Sequence, residues 1–430
     1  MVPFTAPVTR RRLLQVSGCA GALFAAAGLD AEAQAPPEDL PAAVRTLQPM
    51  TDGLSPIAVD EHRARLARAQ KLLVEAGLDA MVVGPGSSLT YLTGADWGLS
   101  ERFLGMVLGR TGEPVWITPA FEKDRALEQI RVGTDVRAWQ EDESPYALVA
   151  RALADRGAAT GRVGIEETMP FAFSDGIGQA LPAARLASAT PVTAGCRMVK
   201  DAHELALMRR ACAITLTAYR AVFASLSEGL TVTQVSGWVA AAHRRLGVRG
   251  GALVLFGPDA AFPHGTAKPR TLKAGDVVLV DGGCRVHGYS SDVTRTAVFG
   301  APPTDRQRRV WDLVRKAQAA AFDAARPGVE CQAIDAAARK AIEDGGFGPG
   351  YAFLTHRLGH GIGLDGHEWP YMVRGNRTRL LAGMTFTDEP GIYVPGELGI
   401  RLEDTVAVTE NGCENLAPKW SGTPEEPAVM

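Results

Sequence analysis

The sequence predicts a mixed α/β (α+β) fold in two domains, the second made of two related halves. Three observations carry this. Short apolar runs alternate with amphipathic helical stretches as far as about residue 190. From His203 a pattern of two long helices followed by strands occurs twice. The helix-start and turn signals of the two copies stand at nearly constant offset. At 430 residues the chain also exceeds what one hydrophobic core organises.

Residues 1–33 read as a twin-arginine signal peptide and stand outside the fold. Thr9-Arg10-Arg11-Arg12-Leu13-Leu14 gives the charged start, and an uncharged Ala- and Gly-rich stretch runs to Leu29. The small-x-small sites Ala31-Glu32-Ala33 and Ala33-Gln34-Ala35 follow; cleavage after Ala33 avoids placing Pro36 next to the cut. The stretch is too short and too poor in Leu and Ile for an anchor helix. The lipoprotein-like box Val16-Ser17-Gly18-Cys19 sits too close to the arginines. The expected location is therefore periplasmic or extracellular, reached in folded form. No later apolar run is long enough to span a bilayer, so no stable membrane span is expected after processing.

Residues 34–50 are Pro- and Ala-rich and read as a linker. The N-terminal domain is expected over 51–192. Leu66, Ala69, Leu72, Leu73 and Ala76 recur at helical spacing until Gly77. Strand-like runs follow at 80–83, 104–108, 115–117 and 163–165, with a helix over 145–154. The second domain is expected over 193–415, with helices near 202–227, 231–246, 304–325 and 330–344. Gly229 pairs with Gly328, Gly275 with Gly383 and His264 with His360, at offsets of 99, 108 and 96 residues. Residues 416–430 are Pro- and Glu-rich and read as a mobile tail. The five cysteines beyond the signal are scattered without metal-ligand spacing and read as small buried residues. A net charge of −3 lacks the basic excess a nucleic-acid surface needs, so nucleic acid is excluded as a partner.

The chemistry sits in two hairpins. The strand Val277-Val278-Leu279-Val280 ends in Asp281, and the chain returns through Ser290-Ser291-Asp292. A turn centred between 286 and 287 puts Asp281 opposite Asp292. In the second half, a turn at Pro395-Gly396 puts Glu389 opposite Glu403. Opposed hairpin residues have Cβ atoms about 5 Å apart, and like charges there repel unless a cation lies between them. A lone acid at a strand end is usually solvated, and one pair can share a proton. Two pairs at duplicated positions, in strands built for burial, point to divalent cations. Oxygen-dominated ligation with a histidine favours Mn²⁺, with Zn²⁺ or Co²⁺ as alternatives. The histidine is sought among His356, His360 and His367, in a segment whose glycines at 359, 361, 363 and 366 let backbone approach a site. His62, His203 and His243 lie on helical patterns and read as surface residues; His287 reads as a solvated turn residue.

At these residues the chain resembles the Xaa-Pro peptidases, aminopeptidase P and prolidase, within the wider methionine aminopeptidase and creatinase superfamily. The resemblance covers about 50–415. It rests on Asp281-x-Gly283 to Ser291-Asp292-x-Thr294-Arg295-Thr296, Gly359-His360-Gly361-x-Gly363 to His367-Glu368, Glu389-Pro390-Gly391-Ile392-Tyr393 and Arg401-x-Glu403-Asp404. Ser88-Leu89-Thr90-Tyr91-Leu92-Thr93-Gly94 resembles a creatinase-like N-terminal domain.

The resemblance implies a C-terminal pita-bread fold with internal pseudo-twofold duplication. It implies two divalent metal ions held by Asp281, Asp292, His360, Glu389 and Glu403, with Asp292 and Glu403 bridging. It places His264, His356 and His367 at the substrate site and Arg401 as a substrate or supporting contact. The implied activity is that of an Xaa-Pro aminopeptidase, in which a water shared by the cations attacks the carbonyl before proline. His264 or His367 would stabilise the oxyanion and Glu389 would carry the proton. A complete ligand set disfavours creatinase itself, and the N-terminal domain disfavours methionine aminopeptidase. A prolidase limited to dipeptides shares every motif; there, Trp97 or Arg102 of a partner subunit would close over the substrate carboxylate. A non-catalytic peptide-binding module is the alternative of another class. A homodimer is the expected assembly.

Overall fold

The computed structural model describes residues 40–418 and 422–426. The signal peptide lies outside the described residues, as does the linker up to Glu38 and Asp39. Among the described residues, no helix is long and apolar enough to cross a membrane.

The N-terminal unit is a six-stranded mixed sheet, ordered β4-β3-β2-β1-β5-β6. Its strands are β1 Ala80–Val83, β2 Gly105–Gly109, β3 Val115–Pro119, β4 Asp135–Trp139, β5 Arg162–Ile165 and β6 Arg185–Ser188. Side chains alternate between two cores, as a pleated strand requires. Met81 and Val83 join a cluster with Leu66, Ala69 and Leu73 of helix α1, Val59–Glu75. Ala80 and Val82 join Val149 and Leu153 on the other face. The edge strands β4 and β6 were not foreseen. Both are largely half-buried or exposed, so neither carries an apolar run. Two further helices matter for the site: α2, Ser87–Thr93, and α3, Thr190–Arg197, which runs across the expected domain boundary.

The second unit repeats helix pairs and strands. Helices α4, Ala202–Phe223, and α5, Val232–Arg245, precede β7 Arg249–Phe256, β8 Val277–Val286, β9 Tyr289–Ser290 and β10 Val293–Val298. Helices α6, Asp305–Ala324, and α7, Cys331–Asp344, precede β11 Gly359–Gly361, β12 Glu368–Met372 and β13 Thr385–Asp388. The chain ends through β14 Gly391–Val394, β15 Leu398–Arg401, β16 Asp404–Val408 and β17 Cys413–Asn415. Capping boxes start α4 at Asp201 with Glu204, α5 at Thr231 with Gln234 and α6 at Thr304 with Gln307.

The duplication is visible in the backbone bonds. Gly229 N donates to Leu272 O, and Gly328 N to Leu380 O, both at 2.8 Å. Leu272 N donates to Leu230 O and Leu380 N to Val329 O. Gly229, Gly328, Gly275 and Gly383 all take positive φ, between 85° and 87°. On β8, Val278 and Val280 pack toward α4 and α5, whereas Val277 and Leu279 face the core of the second half. Asp281 follows on that second face, so the strand aims it between the halves.

Three expectations change. His62 and His243 are buried, since each sits on the inward face of its helix; His62 Nδ1 lies 3.0 Å from Tyr91 O. Residues 40–50 pack rather than merely connect: Val44 is buried against α4 and α5, and Met50 N donates to Leu246 O. The described part of the tail is held by Pro424 O, which accepts from Val298 N, and by a Glu425–Arg308 ion pair.

Backbone approach near the site is close enough to test. A Cβ on Gly359 would lie 1.7 Å from Thr387 O. Gly359→Ala is expected to destabilise the metal-free protein by about 3 kcal/mol in urea unfolding; unchanged stability would contradict the approach of β11 to β13.

Candidate active site

The two hairpins bring their acids to one place, with one register correction. Asp281 opposes Thr294, not Asp292, because the turn centres between His287 and Gly288. His287 at φ 47° and Gly288 at φ 89° make this tight turn, and His287 is solvent-exposed. A slip of two residues keeps the same face, so Asp281 and Asp292 still point together. In the second hairpin, Gly391 pairs with Arg401 and Asp388 with Asp404, a register centred on Gly396 that sets Glu389 across from Glu403.

The acidic atoms converge. Oxygens of Asp281, Asp292 and Glu403 lie within 4.8 Å of one another, as do single ligand atoms of His360, Glu389 and Glu403. His360 Nε2 is 3.2 Å from Glu389 Oε1 and 3.9 Å from Asp292 Oδ2. Thr294 Oγ1 lies 2.6 Å from Asp281 Oδ1 and 2.5 Å from Glu403 Oε2. Arg401 is buried, pairs with Asp281, and donates to Tyr393 Oη at 2.8 Å. His356 Nε2 is 2.8 Å from the same Tyr393 oxygen. The His367 ring stacks 3.7 Å from that of His360, and one of its nitrogens can join Asp292 and His360. His264 is exposed on the loop after Ala261, near enough for its charge to act on His356.

Comparison with known proteins identifies the family. Residues 206–410 match the model of metallopeptidase family M24, and residues 65–199 match the creatinase/prolidase N-terminal domain. A probable dipeptidase PepE of Mycobacterium tuberculosis is 38% identical over 365 residues, covering 83% of this chain and 94% of that protein. The chain belongs to metallopeptidase family M24. The crystal structure of dipeptidase PepE from Mycobacterium ulcerans superposes with a TM-score of 0.79 at 37% identity, covering 85% of this chain and 98% of that one. A prolidase structure from Thermococcus sibiricus gives 0.76 at 31% identity, covering 83% and 97%. An M24 chain with a creatinase-like N-terminal domain and a pita-bread C-terminal domain is what the sequence predicted.

The donor set of this M24 site suits a hard divalent cation. Four carboxylates meet one guanidinium and the imidazoles of His360 and His367, and burying the acids together is costly without a cation. Burial and the charge of Asp281 push Asp292 up to about 7. Burial and Asp292 hold Glu403 well above the usual carboxylate range. Burial opposes the shift in Glu389, yet its hydrogen bond with His360 and the charges of His360, His356 and Arg401 bring it down to about 2. His360 rises despite burial, because Glu389 and Asp292 stabilise its cation. Thr294 lies between two of these acids, and its single hydroxyl proton can satisfy only one of Asp281 and Glu403.

Several residues of the M24 site escaped the sequence reading. Thr387 Oγ1 accepts from His360 N and donates to Glu389 Oε1, both at 3.0 Å. Arg295 is fully buried and ties Asp404 to Glu403 O, each at 2.7 Å. Tyr393, Thr294 and Arg295 lay inside the motifs but showed no separate signal. Lys200 and Arg197 reach Glu368, beside His367, from outside every motif.

The raised Asp292 and His360 fix the sign of a pH dependence. As pH falls through about 7 the metal-free Asp292 takes up a proton, His360 is more basic than a free imidazole, and a cation must displace the protons they hold. Calorimetry of Mn²⁺ binding in buffers of different ionisation enthalpy should show more protons released near pH 6 than near pH 8. Equal release at both pH values would contradict the coupled site.

Proposed function

We propose that this M24 chain hydrolyses the bond before proline in short peptides, with Xaa-Pro dipeptides as its main substrates. The convergence of Asp281, Asp292, His360, Glu389 and Glu403 carries the reading, because it supplies a ligand set for two divalent cations, Mn²⁺ first among them. Cations held there supply Lewis acidity toward a carbonyl and lower the pKa of water. The chain's own residues do the rest. Glu389, next to His360 at the centre of the cluster, can take a proton from an incoming water and pass it to the leaving nitrogen. His367, kept neutral because surrounding protein and the charge of His360 push it down to about 4, can donate one ring N–H toward developing charge. Tyr393 ties His356 to Arg401, holding the wall of the site.

The choice between dipeptidase and aminopeptidase turns on the far side of the scissile bond. Aminopeptidase P and prolidase share the motifs and the metal-binding set. Two observations favour the dipeptidase. Similar M24 proteins carry dipeptidase names, among them Xaa-Pro dipeptidase of Pyrococcus horikoshii. And Arg357, half-buried, stacks 4.4 Å from the ring centroid of Tyr371, which pairs with His360 across the ladder. Its charge reaches His367. No carboxylate pairs with Arg357 among the described residues, whereas Arg401 is already committed to Asp281. A free guanidinium beside the site suits the terminal carboxylate of a dipeptide.

The remaining parts of the proposal concern the whole molecule. The arginine-led segment at 9–14 supports export by the twin-arginine route. A homodimer is the proposed assembly, in which Trp97 or Arg102 of a partner subunit would close over the substrate carboxylate. In this chain Trp97 is buried, with Arg125 over its ring, and Arg102 pairs with Glu141.

The test is a matched assay with Mn²⁺ of an Xaa-Pro acid, its amide and an Xaa-Pro-Yaa tripeptide. The acid should be preferred, and Arg357→Ala should raise its KM about 10-fold or more while leaving the amide unchanged. Preference for the tripeptide would restore the aminopeptidase, and no hydrolysis at all would favour a binding module.

A further inference from the structure

The loop joining β11 to β12 carries His367; Ile362 and Leu364 anchor its start in the core, but the stretch just before His367 has little packed around it. A Cβ added at Gly366 would meet nothing within 4 Å, so the backbone before His367 has open space around it. His367 is exposed and rests on the His360 ring. The fixed point lies one residue later. Glu368 is 2% exposed, and Lys200 Nζ meets its Oε1 at 2.6 Å, while Arg197 pairs with its Oε2. Arg197 also reaches Asp365 of the same loop at 2.5 Å. Ser87 of α2 donates to Asp365, and Ser88 lies 3.3 Å from Arg197.

These contacts cross between domains. Arg197 ends α3, which packs on the N-terminal sheet, and Ser87 and Ser88 begin α2 of the same unit. Lys200 lies in the connector, pinned by Lys200 N donating to Gly383 O. Two cations face two carboxylates, so the cluster is balanced, and it holds as a set: loss of one member leaves the charges around buried Glu368 out of balance. Gly363 makes room for it, since a Cβ there would lie 2.5 Å from Glu368 Oε1 and 2.9 Å from Lys200 Cε.

We propose that Arg197 and Lys200 are positioning residues for catalysis, through which the N-terminal domain sets the place of His367 by clamping Glu368 and Asp365. The proposal rests on the reading of His367 as a substrate-site residue. A purely structural clamp would hold the domains together but act independently of His367. A positioning clamp acts only through it, so removing His367 removes its effect.

The experiment is a double-mutant cycle on Mn²⁺-loaded full-length enzyme: Lys200→Met, His367→Ala and the pair, with manganese content and circular dichroism checked for each. Lys200→Met should lower kcat about 10- to 100-fold at unchanged metal content. His367→Ala should lower it at least as far, and the pair should match His367→Ala alone. Multiplicative losses, or a Lys200→Met variant with wild-type kcat, would overturn the clamp. Wild-type kcat in His367→Ala, with the enzyme still cleaving Xaa-Pro, would remove the role on which it rests. Should Lys200→Met fail to fold, Asp365→Asn on the more exposed limb replaces it in the same cycle, with the same outcomes decisive.

Discussion

Four carboxylates held in one pocket are the constraint around which the C-terminal domain is arranged. Asp281, Asp292, Glu389 and Glu403 repel one another, and the fold still forces them together. The surrounding structure shows how. Arg401 offsets Asp281, Thr294 spans Asp281 and Glu403, and Arg295 fixes the strand behind Glu403. What remains is an excess of negative charge that protons fill when no cation does, visible in the raised Asp292 and Glu403. The same excess is what makes the pocket a ligand for hard divalent ions.

Duplication explains why the pocket lies where it does. Each half contributes a helix pair, a positive-φ glycine before the strand and a hairpin whose inward face ends in acids. Two such hairpins facing each other place matching carboxylates around one centre. The second half adds His360 on β11, aligned by Thr387. The first half offers His264 at the loosely corresponding position, but on an exposed loop rather than a strand. The two halves have thus diverged where the chemistry is asymmetric.

How much of this the sequence disclosed depends on the kind of signal. The inward face of each acid was legible, because strand side chains alternate and an error of two in register cannot change the face. The second hairpin was legible in full, since Pro395-Gly396 marks its turn. The first was misplaced because His287-Gly288, a less obvious pair, forms the tight turn. Strands β4 and β6 carried no apolar run, being edges. His62 and His243 follow helical spacing on the buried side, which a histidine alone does not announce. The contacts of Arg197 and Lys200 with Glu368 join residues 171 and 168 positions apart, and no local pattern reports a pairing at that range.

The account stands or falls on cations at the centre of these carboxylates. The most direct measurement is an anomalous difference map at the manganese edge from crystals grown with Mn²⁺. Two peaks are expected, enclosed by Asp281, Asp292, His360, Glu389 and Glu403. An ordered site with no anomalous density among these side chains would contradict it.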